Sequence, residues 1–176
     1  MLRPAVIRSV FRNRAGRAKL RNLVASKWRA PYVTILRCNG MPSERIEVLA
    51  PPGAIKPTGT WSLGVRAGDF VFVAGMRGID PATDMLVEGA EARVRQAFHN
   101  MKAIVEAAGG SLLDAVRLVV YVTDMYRYRH IVNKVQDELW SGGPYPPRTI
   151  IEVDRLNQDD IVEVEGTFFC PTKIDR

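Results

Sequence analysis

Two stretches of helical periodicity, each set between short runs of β-branched residues, constrain this chain more than any other feature. Residues 88–109 place Val94, Ala97, Phe98, Met101, Ile104, Val105 and Ala108 at i, i+3, i+4 and i+7, which predicts a helix with one apolar face. Gly109-Gly110 supplies its stop. Residues 125–140 repeat the pattern with Tyr128, Ile131, Val132, Val135 and Leu139, behind Asp124 as a candidate N-cap. Around them lie candidate strands at Ile46–Leu49, Trp61–Arg66, Phe70–Ala74, 115–123, 148–154 and 161–169. FVFVA at Phe70–Ala74 is a continuous apolar run, expected to be buried on both faces. Gly78 and IDPATD read as a loop. The order β-β-β-α-β-α-β-β implies an α+β two-layer sandwich, a sheet of four to six strands with two helices on one face. The other sheet face has no cover of its own, and a domain of this size often buries such a face against copies of itself.

The chain has 176 residues and a formal charge of +6, but the charge is segregated. Residues 1–40 hold ten of the 25 Lys and Arg and none of the 19 Asp and Glu. A mildly acidic domain, residues 41–176, therefore stands behind a basic leader. The leader has three readings: a start placed upstream of Met41, a mitochondrial transit peptide, or an arm touching nucleic-acid phosphates. No interleaved aromatic residues favour the third, so nucleic acid is not an expected partner. No run is long enough to span a bilayer, so no membrane is expected either. Cys38 and Cys170 are far apart and fit a reducing compartment. The cytoplasm is the expected location, or the mitochondrion if the leader is a transit peptide.

Nothing in the spacing of residues suggests one of the familiar catalytic constellations, a Ser-His-Asp or Cys-His arrangement included. Gly75 and Gly78 do not make a phosphate loop. His99 and His130 have no carboxylate or cysteine at ligand spacing, so no metal is expected. The unusual stretch is GGPYPPRTIIEVDRL. Pro146 and Pro147 stiffen the chain just before Arg148, and a guanidinium on a rigid lead-in suits a bidentate grip on a carboxylate. The residues equally allow a strand-edge arginine paired with a local acid. Glu163 and Glu165 share one face of the last strand. They read either as a solvent-facing row or as a pocket acid that orders a water. An antiparallel pairing of their strand with that of Arg148 would bring the two sites together.

The segments PPGAIKP, GDFVFVAGMRGIDPATD, NMKAIVEAAGGSLLDAVRLVVYVTDM, PYPPRTIIEVDRL and IVEVEGTFF together resemble the reactive-intermediate deaminases, the Rid or YjgF family, over about residues 50–170. The resemblance implies a chorismate-mutase-like fold, a homotrimer with sites between subunits, and cofactor-free hydrolysis of enamines and imines to 2-keto acids and ammonia. Arg148 matches the family's carboxylate-binding arginine and Glu163 the glutamate that positions water; Glu165 takes the position beside it. Four substrate-binding positions depart from the common pattern. Ala74 stands for Ser, Met76 for Gln, Trp61 for a pocket Tyr, and Ile150 for Cys at a position used through its backbone. Fewer hydroxyls favour a larger or more apolar substrate, of which aminomuconate-type enamines are one kind. The alternative implied by the altered pocket is a non-catalytic trimer that binds a small keto acid.

Overall fold

The computed structural model describes residues 46–171. The basic leader, residues 1–40, and the expected domain start at 41 lie outside the described residues. Eight strands and two helices follow in chain order: β1 (Ile46–Leu49), β2 (Gly64–Ala67), β3 (Phe70–Arg77), β4 (Ile79–Asp80), β5 (Met85–Leu86), α1 (Ala90–Ala107), β6 (Ala115–Val122), α2 (Met125–Leu139), β7 (Arg148–Glu152) and β8 (Val162–Phe169). Six of them form a mixed sheet in the order β1-β2-β3-β8-β6-β7, and β4 and β5 pair as a separate hairpin. The expected loop at 78–84 is thus the turn of a small hairpin whose two-residue strands are too short to show a period.

β8, last in the chain, lies antiparallel to both β3 and β6 in the middle of the sheet. Its residues alternate strictly. Val162, Val164 and Phe168 are fully buried under the helices, while Glu163, Glu165 and Thr167 point to the other face. α1 packs on β3 and β8; α2 packs against α1, β6 and β7. Between the layers lies a core whose largest members are Trp140 and Phe98, edge to face at 5.9 Å. α1 ends where Gly109, at φ 81°, turns the chain, with its N–H and that of Gly110 closing on Glu106 and Val105 carbonyls. Asp124 caps α2 by accepting the Arg127 N–H at 2.8 Å, as its position before the second stripe predicts.

The expectation that Phe70–Ala74 is buried on both faces is corrected. Val71 and Val73 are in the core, but Phe70 and Phe72 are 42% and 44% exposed on the uncovered face, where Phe169 joins them. The run is apolar on both sides because one side meets the helices and the other is left exposed among the described residues.

Phe98→Ala should leave the fold intact but remove about 3–5 kcal/mol of stability, the usual cost of emptying a buried aromatic site. Chemical denaturation at fixed protein concentration measures this, and a loss below about 1 kcal/mol would show that the Phe98–Trp140 contact is not central to the core.

Candidate functional site

Arg148 opens β7 directly after its proline lead-in, and the Pro147 carbonyl is tied to the sheet by the Leu118 N–H at 3.0 Å. β7 runs parallel to β6, with Arg148 level with Leu118. The side chain therefore leaves the sheet on the helix side, at its edge. There it donates to Gln136 Oε1 at 2.5 Å and to Asn133 Oδ1 at 2.7 Å, both on α2. Both acceptors are neutral amides. Among the described residues no carboxylate lies within ion-pair distance of Arg148, so the reading of a strand-edge arginine paired with a local acid is not what the geometry contains. Burial, with the nearby Arg129 charge second, holds its pKa below the ordinary arginine value. A half-buried guanidinium, charged at any ordinary pH and offset only by dipoles, favours an incoming anion. It borders a cavity of about 610 Å³ lined also by Tyr145, Pro146, Lys134 and Asp137. Tyr145 hydroxyl donates to Asp137 on that rim.

Glu163 is elsewhere. Its strand neighbours β6 and β3, not β7, so the expected antiparallel pairing with the strand of Arg148 is corrected. β6 intervenes, and Glu163 sits level with Tyr121 on the uncovered face. Within one chain the two backbones are roughly 14 Å apart, two strand spacings across and three residues along, with side chains on opposite faces. The Glu163 carboxylate lies against the backbone of Gly75, where any Cβ would collide with it. Arg77 Nε approaches Oε2 at 3.9 Å. Burial raises the pKa of Glu163; Arg77 opposes this, and Glu165 and Asp160 add to it.

The four pocket positions separate. Between Val73 and Met76 the β3–β8 register slips by one residue, a bulge at Ala74-Gly75. Simple alternation would set Met76 on the uncovered face beside Glu163. The bulge instead turns it into the core, where it is fully buried. As a side-chain contact for a ligand Met76 is therefore corrected; only its main chain remains available. Ala74 stays half-buried at the bulge, its N–H bonded to the Leu63 carbonyl at 2.9 Å. Trp61 is an exposed residue of the loop before β2. Ile150 lies two residues after Arg148 on the same side of β7, level with Val120. His99 and His130 are exposed, and no cluster of metal-ligating residues occurs among the described residues.

Asn133, Gln136 and Arg77 escaped the sequence reading. Gln136 had a signal: it falls within the apolar stripe of α2, four residues after Val132, and a polar residue on a buried stripe needs a partner. Arg77 had none, since its place depends on the bulge.

A family model described as Endoribonuclease L-PSP matches residues 52–169. A RutC family protein of Pyrococcus horikoshii is 41% identical over 121 residues, covering 68% of this chain and 94% of that protein. The 2-iminobutanoate/2-iminopropanoate deaminase of Salmonella typhimurium is 35% identical over 117 residues, covering 65% of this chain and 88% of its own. Among solved structures, a probable translation initiation inhibitor from Rhodopseudomonas palustris superposes with a TM-score of 0.70 at 54% identity, over 72% of this chain and 99% of the other.

The raised pKa of Glu163 has a stability consequence. The folded state holds this proton to higher pH than the unfolded chain, so the carboxyl's contribution is complete below the ordinary value of 4.5 and is lost as pH rises through the folded value. Glu163→Gln cannot ionise. Its stability relative to the parent should therefore rise as the pH is raised above the ordinary value of 4.5 and through the higher folded one. Denaturation curves across that range test this; parallel pH profiles would show that Glu163 is not perturbed by the fold.

Proposed function

The chain belongs to the Endoribonuclease L-PSP family, which is the Rid or YjgF family, and on that premise we propose that it is a cofactor-independent deaminase that hydrolyses 2-imino acids, and the enamines that give rise to them, to 2-keto acids and ammonia. The observation that carries this reading is the Arg148 guanidinium, held by Gln136 and Asn133 with its charge unspent beside a cavity of about 610 Å³. It suits the carboxylate that every 2-imino acid carries.

Arg148 grips that carboxylate and withdraws electron density from the adjacent carbon–nitrogen bond. An enamine substrate first tautomerises to the imine. A water held by Glu163 then adds to the C=N carbon. Glu163 accepts the water's proton and returns it to the nitrogen, and the carbinolamine collapses to a keto acid and ammonia. Such imines hydrolyse unaided in water, so positioning and a weak base supply enough acceleration. Because Arg148 and Glu163 face opposite sides of one sheet, a working site pairs Arg148 of one subunit with Glu163 of the next. Phe70, Phe72 and Phe169, exposed among the described residues, supply the apolar face for that assembly, in a homotrimer. The partner is a small carboxylate-bearing substrate. The half-buried position of Ala74 and the proximity of Ile150 to Arg148 favour an apolar substituent. The relatives' names point to short imino acids, and the aminomuconate-type enamine finds no support among them. No helix of the described residues is long and apolar enough to cross a membrane. The free, buried Cys170 fits a reducing setting such as the cytoplasm.

Ammonia release from 2-iminopropanoate, generated in situ by an amino-acid oxidase, tests the reading. Arg148→Ala should lower kcat/KM by roughly 100-fold or more, as losing one partner of a desolvated charge pair does. Full turnover in that variant would remove Arg148 from the mechanism, and keto-acid binding without turnover in the parent would make the protein a binding module instead. Co-refolding Arg148→Ala with Glu163→Gln, both inactive alone, should restore about a quarter of the sites if each draws on two subunits. No recovery in verified mixed oligomers would place the site within one chain.

A further inference from the structure

We propose that Arg77 is a positioning residue of the site, holding the Glu163 carboxylate in place and ionised; this rests on the reading of Glu163 as the base. The geometry begins with the bulge. By shifting β3 one residue against β8 it sets Arg77, rather than Met76, opposite Glu163. The Arg77 side chain is only 7% exposed, and its Nε lies 3.9 Å from Glu163 Oε2. Its outer nitrogen donates to the Asn157 carbonyl at 2.6 Å and to Gln158 Oε1 at 2.8 Å. These come from the loop between β7 and β8, which folds over the guanidinium by taking Gln158 and Asp159 into left-handed backbone at φ 58° and 54°. Both acceptors are neutral. They fix the direction of the guanidinium without spending its charge.

The other buried acid nearby does not compete for it. Asp160 accepts the Gly78 N–H at 3.0 Å and has its own cation, Arg93 of α1, at 3.7 Å. The charges facing Glu163 are then Arg77 from β3, Glu165 from its own strand and Asp160 from the loop, with the Tyr121 hydroxyl from β6 beside Glu165. Arg77 is the only one of these that favours the ionised carboxylate. Desolvation and two carboxylates push Glu163 toward holding its proton, and a protonated Glu163 cannot accept one from water. A carboxylate that rests against Gly75 with an anchored guanidinium 3.9 Å from its Oε2 also has little rotamer freedom left.

The test is titration of the Glu163 carboxyl by carbon-13 NMR, its resonance identified by its loss in Glu163→Gln. Arg77→Gln should move the midpoint up by about one pH unit, the lower end of what an opposite charge at this distance contributes. Arg77→Lys, which keeps a charge, should return most of that shift. Gln158→Gly suits the left-handed backbone there and loosens one anchor of Arg77. It should move the midpoint in the same direction by less, and it serves if Arg77→Gln does not fold. An unmoved midpoint in the folded variants overturns the proposal. In the imine assay the acid limb of kcat/KM should shift with the midpoint. If the midpoint moves but the parent releases no ammonia, the deaminase reading fails and the pairing stands. If the parent turns over and its acid limb ignores Arg77→Gln, the pairing does not serve the reaction.

Discussion

The sheet depends on a single placement: the last strand inserts between β3 and β6. Until β8 is in position, the β1-β2-β3 meander and the β6–β7 parallel pair are separate halves, and α1, which packs on β3 and β8, has no continuous surface to cover. Once it is in position, Val162, Val164 and Phe168 close the floor under α1, and Glu163 and Glu165 are set on the uncovered face by alternation alone. One extra residue in β3 then decides what stands opposite Glu163. The bulge at Ala74-Gly75 turns Met76 into the core and Arg77 outward. It also exposes a glycine backbone against which a carboxylate can rest.

Two arginines are treated alike. Arg148 is held by Gln136 and Asn133, and Arg77 by Gln158 and the Asn157 carbonyl. In each case oriented amide oxygens replace the water lost on burial, yet none cancels the charge. By contrast, Arg95 and Lys134 share Glu91 and Glu138 across the exposed seam between α1 and α2, a solvated network of ordinary ion pairs. A buried cation satisfied by dipoles has electrostatic capacity left for an anion. One of these faces a cavity open to a ligand, and the other faces the chain's own glutamate.

Much of this was legible in the residues because burial is a local property of a periodic segment. The stripes of Val94 to Val105 and Tyr128 to Leu139 announced both helices within a residue or two, and Asp124 announced its cap. The strand at β8 and the shared face of Glu163 and Glu165 followed from strict alternation. Phe70 and Phe72 misled, because an apolar side chain looks the same whether it enters a core or waits at a surface. The hairpin of β4 and β5 was too short to carry a period. The closeness expected for Arg148 and Glu163 failed because strand order is set by which edges meet, and β6 took the place beside β8. The Met76 side chain lies in the core because a bulge reverses every later side chain without altering the composition of the strand.

The sequence by itself determined both helices, the strands of the six-stranded sheet, the glycine stop of α1, the Asp124 cap of α2 and the rigid entry into Arg148. Each of these depends on residues within a few positions of one another. The tertiary structure alone decided that Arg148 has no carboxylate at ion-pair distance among the described residues, that Glu163 lies two strands away on the opposite face, and that Arg77 meets it. Those facts come from long-range register, where a shift of one residue moves a side chain through the sheet and a change of neighbour moves it by a full strand spacing.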